Sequence, residues 1–287
     1  MANFHSRSNS LPSECSPLMN EIRDRLCQLK GSEATSTTGK YMCSNLAGLV
    51  GLHEALKNLI QTPSFQQALS HDQCENWIDE ILEGSLVLVD LCGFSRDVVS
   101  LSKESIQDLK SSIRRNRGQS TATSDDISSY VASRKKIYKM VDKKCIKNSK
   151  RFNQNSTTLI KENVDLKTMV IVFKEIEVIS SSVLNSVLLF LSGLKAGSKH
   201  RSWSLLSKFT QTSRKHSEAD QEYSYNDLFN VHFYEPMKGM DNATVQNILK
   251  KLKGSEMTIH ELEEGLEALF RSLLKTRVSL LNVLSDH

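Results

Sequence analysis

Apolar and small side chains recur in steps of three and four along the stretch that follows Trp77. Because this spacing keeps them on one side of a helix, it predicts one long helix from Trp77 to about Arg117, capped by Asp72. The repeat is close to 3.5 residues, which is typical of helical bundles, and its small members predict close approach of a neighbouring helix. The stripe comprises Ile81, Ser85, Leu88, Cys92, Ser95, Val99, Ser102, Ile106, Leu109 and Ile113.

Similar stripes predict further helices along the rest of the chain. Gly254 is expected to stop one short helix, and a T-x-x-E capping box at Thr258 and Glu261 is expected to start the last one. No stretch shows the alternation of period two that indicates a strand. The pattern therefore predicts an all-α fold, an elongated bundle of long antiparallel helices. Besides the helix from Trp77, the predicted helices span 18–30, 41–60, a short stretch after Pro63 to 70, 125–150, 159–192, about 203–209, 241–253, and a last helix from 258 to at least 283.

Composition agrees with a folded chain of this kind. The 287 residues are 39% hydrophobic and 24% charged, and no proline occurs between Pro63 and Pro236, so long helices are permitted. Ser-rich residues 1–17 predict a disordered arm. Residues 18–287 are expected to form a single helical-bundle domain, with a loosely ordered insertion at about 193–240.

The six cysteines predict buried, reduced thiols and an intracellular protein. None is spaced as CxxC or in a Cys/His pattern with zinc spacing, so neither a metal site nor a cofactor is expected. Residues 1–17 lack the apolar core of a secretory signal. The apolar window 183–194 is short and interrupted by polar residues, which favours a core helix over a membrane span. We expect a cytoplasmic protein, with plastid and nucleus as the remaining alternatives.

The sharpest charge feature is a run of nine cations and one acid over 134–151, which carries +8 in a chain whose net charge is +4. Helical spacing places its lysines on one face and turns Ile137, Val141 and Cys145 toward the core. Such a face either stays solvated or meets an acidic protein or an anionic membrane. Nucleic acid is not expected, because stacking aromatics are missing apart from Tyr138. The predicted face consists of Lys135, Lys136, Lys139, Lys143, Lys147 and Lys150.

The arm carries a second candidate site around Ser10. Residues 7–12 read R-S-x-S-x-P, with Arg7 three residues before Ser10 and Pro12 two residues after it. A phosphate on Ser10 would add nearly two negative charges and suit an arginine-lined groove, so the segment resembles the phosphoserine motif that 14-3-3 proteins bind. The alternative is a disordered arm in which Ser10 serves no binding role.

Nothing in the chain points to catalysis. No phosphate-binding glycine loop, nucleophile elbow or H-E-x-x-H motif is present. His53 and His260 lie on predicted helices and are expected at the surface or hydrogen-bonded. No catalytic residue is therefore assigned, and an enzyme of unrecognised type is kept only as an alternative that a large polar pocket would favour.

Several stretches together resemble the plant-specific BYPASS-like family. They are residues 4–12, residues 46–70 (LAGLVGLHEALKNLIQTPSFQQALS), residues 77–118 with WIDEILEGSLVLVDLCGFSRDVV and RRNRG, and the tail LFRSLLKTRVSLLNVLSDH. The resemblance implies a helical protein of plants without established enzymatic activity, associated with root and shoot development. It therefore implies an interaction, adaptor or regulatory protein. A peripheral membrane protein that uses the basic face remains the alternative, and the oligomeric state stays open.

Overall fold

The computed structural model describes residues 15–32, 38–70, 75–115, 122–152, 164–193 and 242–285. Within these ranges the chain forms helices and no strand, which confirms the predicted all-α class. The helices are α1 (Cys15–Ser32), α2 (Gly39–Ile60), α3 (Pro63–Ser70), α4 (Glu75–Arg115), α5 (Ala122–Phe152), α6 (Val164–Ser192) and α7 (Asn242–Ser285).

Four long helices, α2, α4, α6 and α7, surround the main core, and α1 and α5 pack on its outside. Helix α4 runs antiparallel to α7, because Lys103 pairs with Glu263 and the later Lys110 pairs with the earlier Glu256. Helix α1 contacts α2 and α6, while α5 contacts α4 and α6. Helix α6 therefore lies between α1 and α5 on one side of the molecule.

The stripe on α4 is buried as its spacing predicts, except for the half-buried Ser85. Ser95 and Ser102 are fully buried, and each donates a hydrogen bond of 2.8 Å to the carbonyl four residues earlier. The thiol of Cys92 donates to the carbonyl oxygen of Leu266 on α7 at 3.6 Å. Small side chains thus let the α7 backbone approach α4 closely.

Local signals set the junction of α2 and α3. The Thr62 hydroxyl accepts from the Phe65 amide at 3.3 Å and donates to the Leu59 carbonyl at 2.7 Å. Pro63 occupies the first position of α3, where a missing amide hydrogen costs no hydrogen bond. The predicted short helix from Pro63 to Ser70 is confirmed.

The prediction of two helices, one on either side of Gly254, is wrong because α7 is one helix of 44 residues. The buried stripe continues through the predicted break at Leu252, Ser255 and Ile259. The Ser255 hydroxyl donates to the Lys251 carbonyl at 3.1 Å, inside an unbroken helix. Burial along α2 and α4 outweighs the cost of about 1 kcal/mol that a glycine adds within a helix.

The predicted domain limits fall mostly outside the described residues, so the domain division stays a prediction. Helix α1 begins at Cys15, so the predicted arm extended slightly too far into the fold. Residues 1–14 and 194–241 lie outside the described residues, as do Asp72 and most of the predicted insertion. The buried apolar side chains of the described helices form one cluster.

Candidate docking surface on helix α5

Helix α5 separates a buried side from a lysine-covered side. Tyr130, Ile137, Val141 and Asn148 are buried against α4 and α6, and Cys145 is half-buried. This confirms the side predicted to face the core. Five lysines of the predicted face are exposed on the outside of the helix, and we call them the basic ridge: Lys135, Lys136, Lys139, Lys143 and Lys147.

No lysine of the basic ridge forms an ion pair within the described ranges. The first and last of them are separated by about 18 Å along the helix axis. Like charges at this spacing repel one another, so a facing anionic surface would relieve that repulsion. Lys150 lies in α5, but its side chain is outside what the structure describes.

Two other cations of the run contact neighbouring helices instead of joining the basic ridge. Arg134 donates at 2.5 Å to the Leu191 carbonyl in the last turn of α6, where unpaired carbonyls favour a cation. The Lys144 ammonium lies 5.3 Å from the centre of the Phe94 ring on α4. These two side chains contact α6 and α4 and stabilise the position of α5. The charge count alone could not indicate this role.

Acidic side chains occupy the adjacent outer side of the molecule. Glu83, Asp90, Asp97 and Glu104 follow one another at seven-residue spacing along α4, and all four are exposed. We call them the acidic column. The cations on the α7 side of α4 are paired: Arg96 lies 2.6 Å from Glu267, and Lys103 lies 2.5 Å from Glu263. Positive and negative charge are therefore segregated onto neighbouring faces.

One polar cluster lies inside the bundle rather than on its surface. His53 Nε2 is 3.0 Å from the Ser180 hydroxyl, whereas Nδ1 has no hydrogen-bond partner within the described chain. Burial lowers the pKa of His53 to about 4. The expectation of a surface position or of satisfied hydrogen bonds is therefore wrong for His53, which is buried and bonded through one ring nitrogen. His260 is exposed, as predicted.

A cavity of about 40 Å³ adjoins His53 and reaches the α4–α6 seam. Lys174 lies 2.7 Å from Glu80 in its lining, and the remainder is largely apolar. This volume holds a few water molecules and is far below the several hundred Å³ of a metabolite site. Within the described ranges no three His, Cys, Asp or Glu side chains are grouped to hold a metal ion.

The four cysteines whose side chains the structure describes are free thiols, as the spacing predicted: Cys27, Cys43, Cys92 and Cys145. Burial raises the pKa of Cys92 to about 12 and that of Cys145 to about 11, and it is the largest cause of raising the pKa of Cys43 to about 11. Cys27 is exposed, so the prediction of buried thiols is wrong for this residue. Its position on the outer side of α1 was not evident from spacing.

Helix α6 is apolar enough to resemble a membrane span. The stretch Lys167–Ser192 meets the length and composition of a spanning helix, although 67% of its most apolar window is buried inside the bundle. The apolar stretch extends back to Lys167, so it is longer than the window 183–194 that the sequence suggests. Its burial is that of a core helix.

Residues 45–283 match the family model described as Protein BPS1. The chain belongs to the BPS1 family. The match covers most of the chain and confirms the BYPASS-like resemblance over residues 46–70, residues 77–118 and most of the C-terminal tail. The comparisons with curated proteins and with solved structures each return no match. The Ser10 motif lies before the matched stretch of this BPS1-family protein and outside the described residues, so it stays a prediction.

Proposed function

We propose that this BPS1-family chain is a non-enzymatic interaction protein whose basic ridge docks on an anionic partner. In the plant, this contact would serve a regulatory role in root and shoot development, as the family resemblance implies. The helical bundle then acts as a rigid support that presents a charged surface.

The observation that supports this proposal most is that the basic ridge points outward and forms no ion pair with any described residue. The opposite side of the same helix is buried, so the lysines hold a fixed direction relative to the core. A fixed line of positive charge attracts an anionic partner and orients it on arrival.

An enzyme has less support from the described residues. The wider groove of about 520 Å³ between α4 and α7 is lined by charged side chains, but Arg96 within it is paired with Glu267 at 2.6 Å. The cavity beside His53 is about 40 Å³, which leaves no room for a metabolite next to this buried histidine. The neutral ring bonds Ser180, but no described carboxylate is within hydrogen-bond distance of its other nitrogen. A binding role therefore agrees better with the geometry.

Affinity capture from root and shoot tissue tests the proposal. The ridge variant combines Lys135→Gln, Lys139→Gln and Lys143→Gln, and the control variant combines Lys250→Gln, Lys253→Gln and Lys275→Gln on α7. All six lysines are exposed, so both variants remove the same charge. We expect the ridge variant to lose at least one partner that wild type and control retain, with affinity lowered about tenfold or more.

Mass spectrometry of the captured material identifies the partner, and repetition at high salt checks that the contact is electrostatic. Identical captured sets for wild type, ridge variant and control would contradict the proposal. Circular dichroism confirms beforehand that the three proteins have the same helix content.

A further inference from the structure

Exposed apolar side chains lie along the junction of α5 and α6. On α5, Val131 and Tyr138 are 53% and 39% exposed, and on α6, Ile171 and Val178 are each 47% exposed. Pairs of large apolar side chains that stay half-exposed on two adjacent helices are features of a contact surface.

Each apolar pair lies in line with one residue of the contact between the two helices. Val131, Tyr138 and Cys145 are spaced by seven residues on α5, as are Ile171, Val178 and Asn185 on α6. The Cys145 thiol donates to the Asn185 side-chain oxygen at 3.8 Å, so the two columns meet there.

The two columns extend in opposite directions from their meeting point. Arg134 near the start of α5 contacts Leu191 near the end of α6, which makes the helices antiparallel. Tyr138 and Val131 therefore continue the row toward one end, and Val178 and Ile171 continue it toward the other. Fourteen residues on each side place the two apolar pairs on a line about 42 Å long, with about 21 Å between Tyr138 and Val178 along the helix axes. We call these four side chains the apolar row.

The basic ridge borders this apolar row on α5. Lys135 lies one turn from both Val131 and Tyr138, and Lys139 follows Tyr138 directly. On α6 the exposed Glu175 is paired with Lys30 of α1 at 3.1 Å, which offsets its negative charge. The surface thus combines an apolar line with an excess of positive charge.

We propose that this α5–α6 face lies on the surface of an anionic lipid bilayer. The apolar row enters the headgroup region, and the lysine ammonium groups reach the lipid phosphates on long flexible stems. This inference rests on the proposed function, because it names the anionic partner of the basic ridge.

The choice of lipid over an acidic protein follows from the side chains present. Protein interfaces are enriched in arginine and depleted in lysine, whereas all five cations of the basic ridge are lysines. Clustered lysines beside an amphipathic surface are typical of proteins that bind anionic lipid, and tyrosine is enriched where membrane meets water.

Co-sedimentation of the full chain with vesicles tests the inference. The vesicles contain phosphatidylcholine alone or phosphatidylcholine mixed with phosphatidylserine. We expect binding only to the mixed vesicles, and about fivefold weaker binding for each ridge lysine changed to glutamine. Ile171→Ser combined with Val178→Ser should weaken it about tenfold.

A matched control comes from the opposite side of the molecule. Leu274 and Val278 on α7 are 40% and 52% exposed, so Leu274→Ser with Val278→Ser makes a similar change away from α5 and α6. This control should bind vesicles as wild type does. Val131→Ser with Tyr138→Ser is a second test variant, and thermal unfolding by circular dichroism verifies the fold of each.

The outcomes separate this inference from the proposed function. Vesicle binding that is unchanged in both row variants would overturn the lipid contact. So would a wild-type chain that binds immobilised poly-glutamate through the basic ridge but ignores the mixed vesicles, although the proposed function would then stand. If glutamine substitution of the ridge lysines left both kinds of binding unchanged, both proposals would fail.

Discussion

At the scale of single residues, His53 has the most unusual environment among the described ionisable groups. It lies among the leucines of α2 with 2% of its surface exposed, and its Nε2 is 3.0 Å from Ser180. Burial lowers its pKa to about 4, from about 6.5 in an unfolded chain. The folded protein therefore holds the ring neutral, while the unfolded chain takes up a proton first as the pH falls.

This difference predicts a pH-dependent stability with a definite sign. The contribution of His53 is fully present above about pH 6.5 and is lost as the pH falls toward about 4. Between about pH 7.5 and about pH 5, the free energy of unfolding should fall by about 2 kcal/mol. Urea denaturation followed by circular dichroism at both pH values measures it.

Two variants isolate the histidine responsible. His53→Gln keeps a donor near Ser180 but cannot titrate, so its unfolding free energy should lose this slope. His260→Gln, on the exposed side of α7, should keep it. Hydrogen bonds from Lys110 and Lys103 hold the pKa of Glu256 and Glu263 below the usual range, so their contributions disappear only below about pH 4.5. Equal slopes in the parent and His53→Gln would refute the assignment.

At the scale of elements, α7 shows how packing overrides local stop signals. Gly254 favours a helix end and the capping box at Thr258 favours a helix start. The stripe of buried side chains nevertheless keeps its helical spacing through both positions. A capping box gains its hydrogen bonds only where a helix begins. Inside α7 the same backbone groups bond within the helix, and the stripe gains burial against α2 and α4.

Substitution of Gly254 distinguishes a helix interior from a helix end. A methyl group at this position meets nothing within 4 Å, so Gly254→Ala should raise the free energy of unfolding by about 1 kcal/mol. Gly265→Ala is the matched control, because its methyl group would lie 3.3 Å from Cβ of buried Leu46 and should destabilise the protein. Chemical denaturation of both measures the effects, and a loss of stability in Gly254→Ala would restore the predicted break.

Much of the fold was predictable because it depends on local pattern. The stripe from Trp77, the short helix after Pro63 and the inward side of α5 at Ile137 and Val141 all follow from spacing within one segment. The apolar row was not predictable, since it joins Tyr138 and Val178 on two helices whose relative position depends on tertiary packing. The use of Arg134 at the end of α6 was hidden for the same reason.

At the scale of the whole molecule, a ladder of ion pairs aligns α4 with α7. Arg96, Lys103 and Lys110 face Glu267, Glu263 and Glu256 in reverse order. Each pair lies near the surface and contributes at most about 1 kcal/mol. Their order along two antiparallel helices favours one register over a shift by a turn, which would bring like charges closer together.

A charge swap within this ladder tests its contribution. Lys103→Glu should lower the free energy of unfolding by about 1 kcal/mol, because it faces Glu263 with a like charge. Adding Glu263→Lys should recover most of that loss, which a double-mutant cycle quantifies. High salt should shrink both effects. A swapped pair no more stable than Lys103→Glu alone would mean that the ladder does not set the register.

The separation of the basic ridge from the acidic column gives the molecule a permanent electric moment across its width. In the field of a negatively charged surface, the protein rotates while still about a Debye length away, about 8 Å under physiological salt. The protein therefore reaches the surface already oriented. The α4–α7 edge then points to the aqueous side, where it stays accessible to a second molecule while the first contact persists.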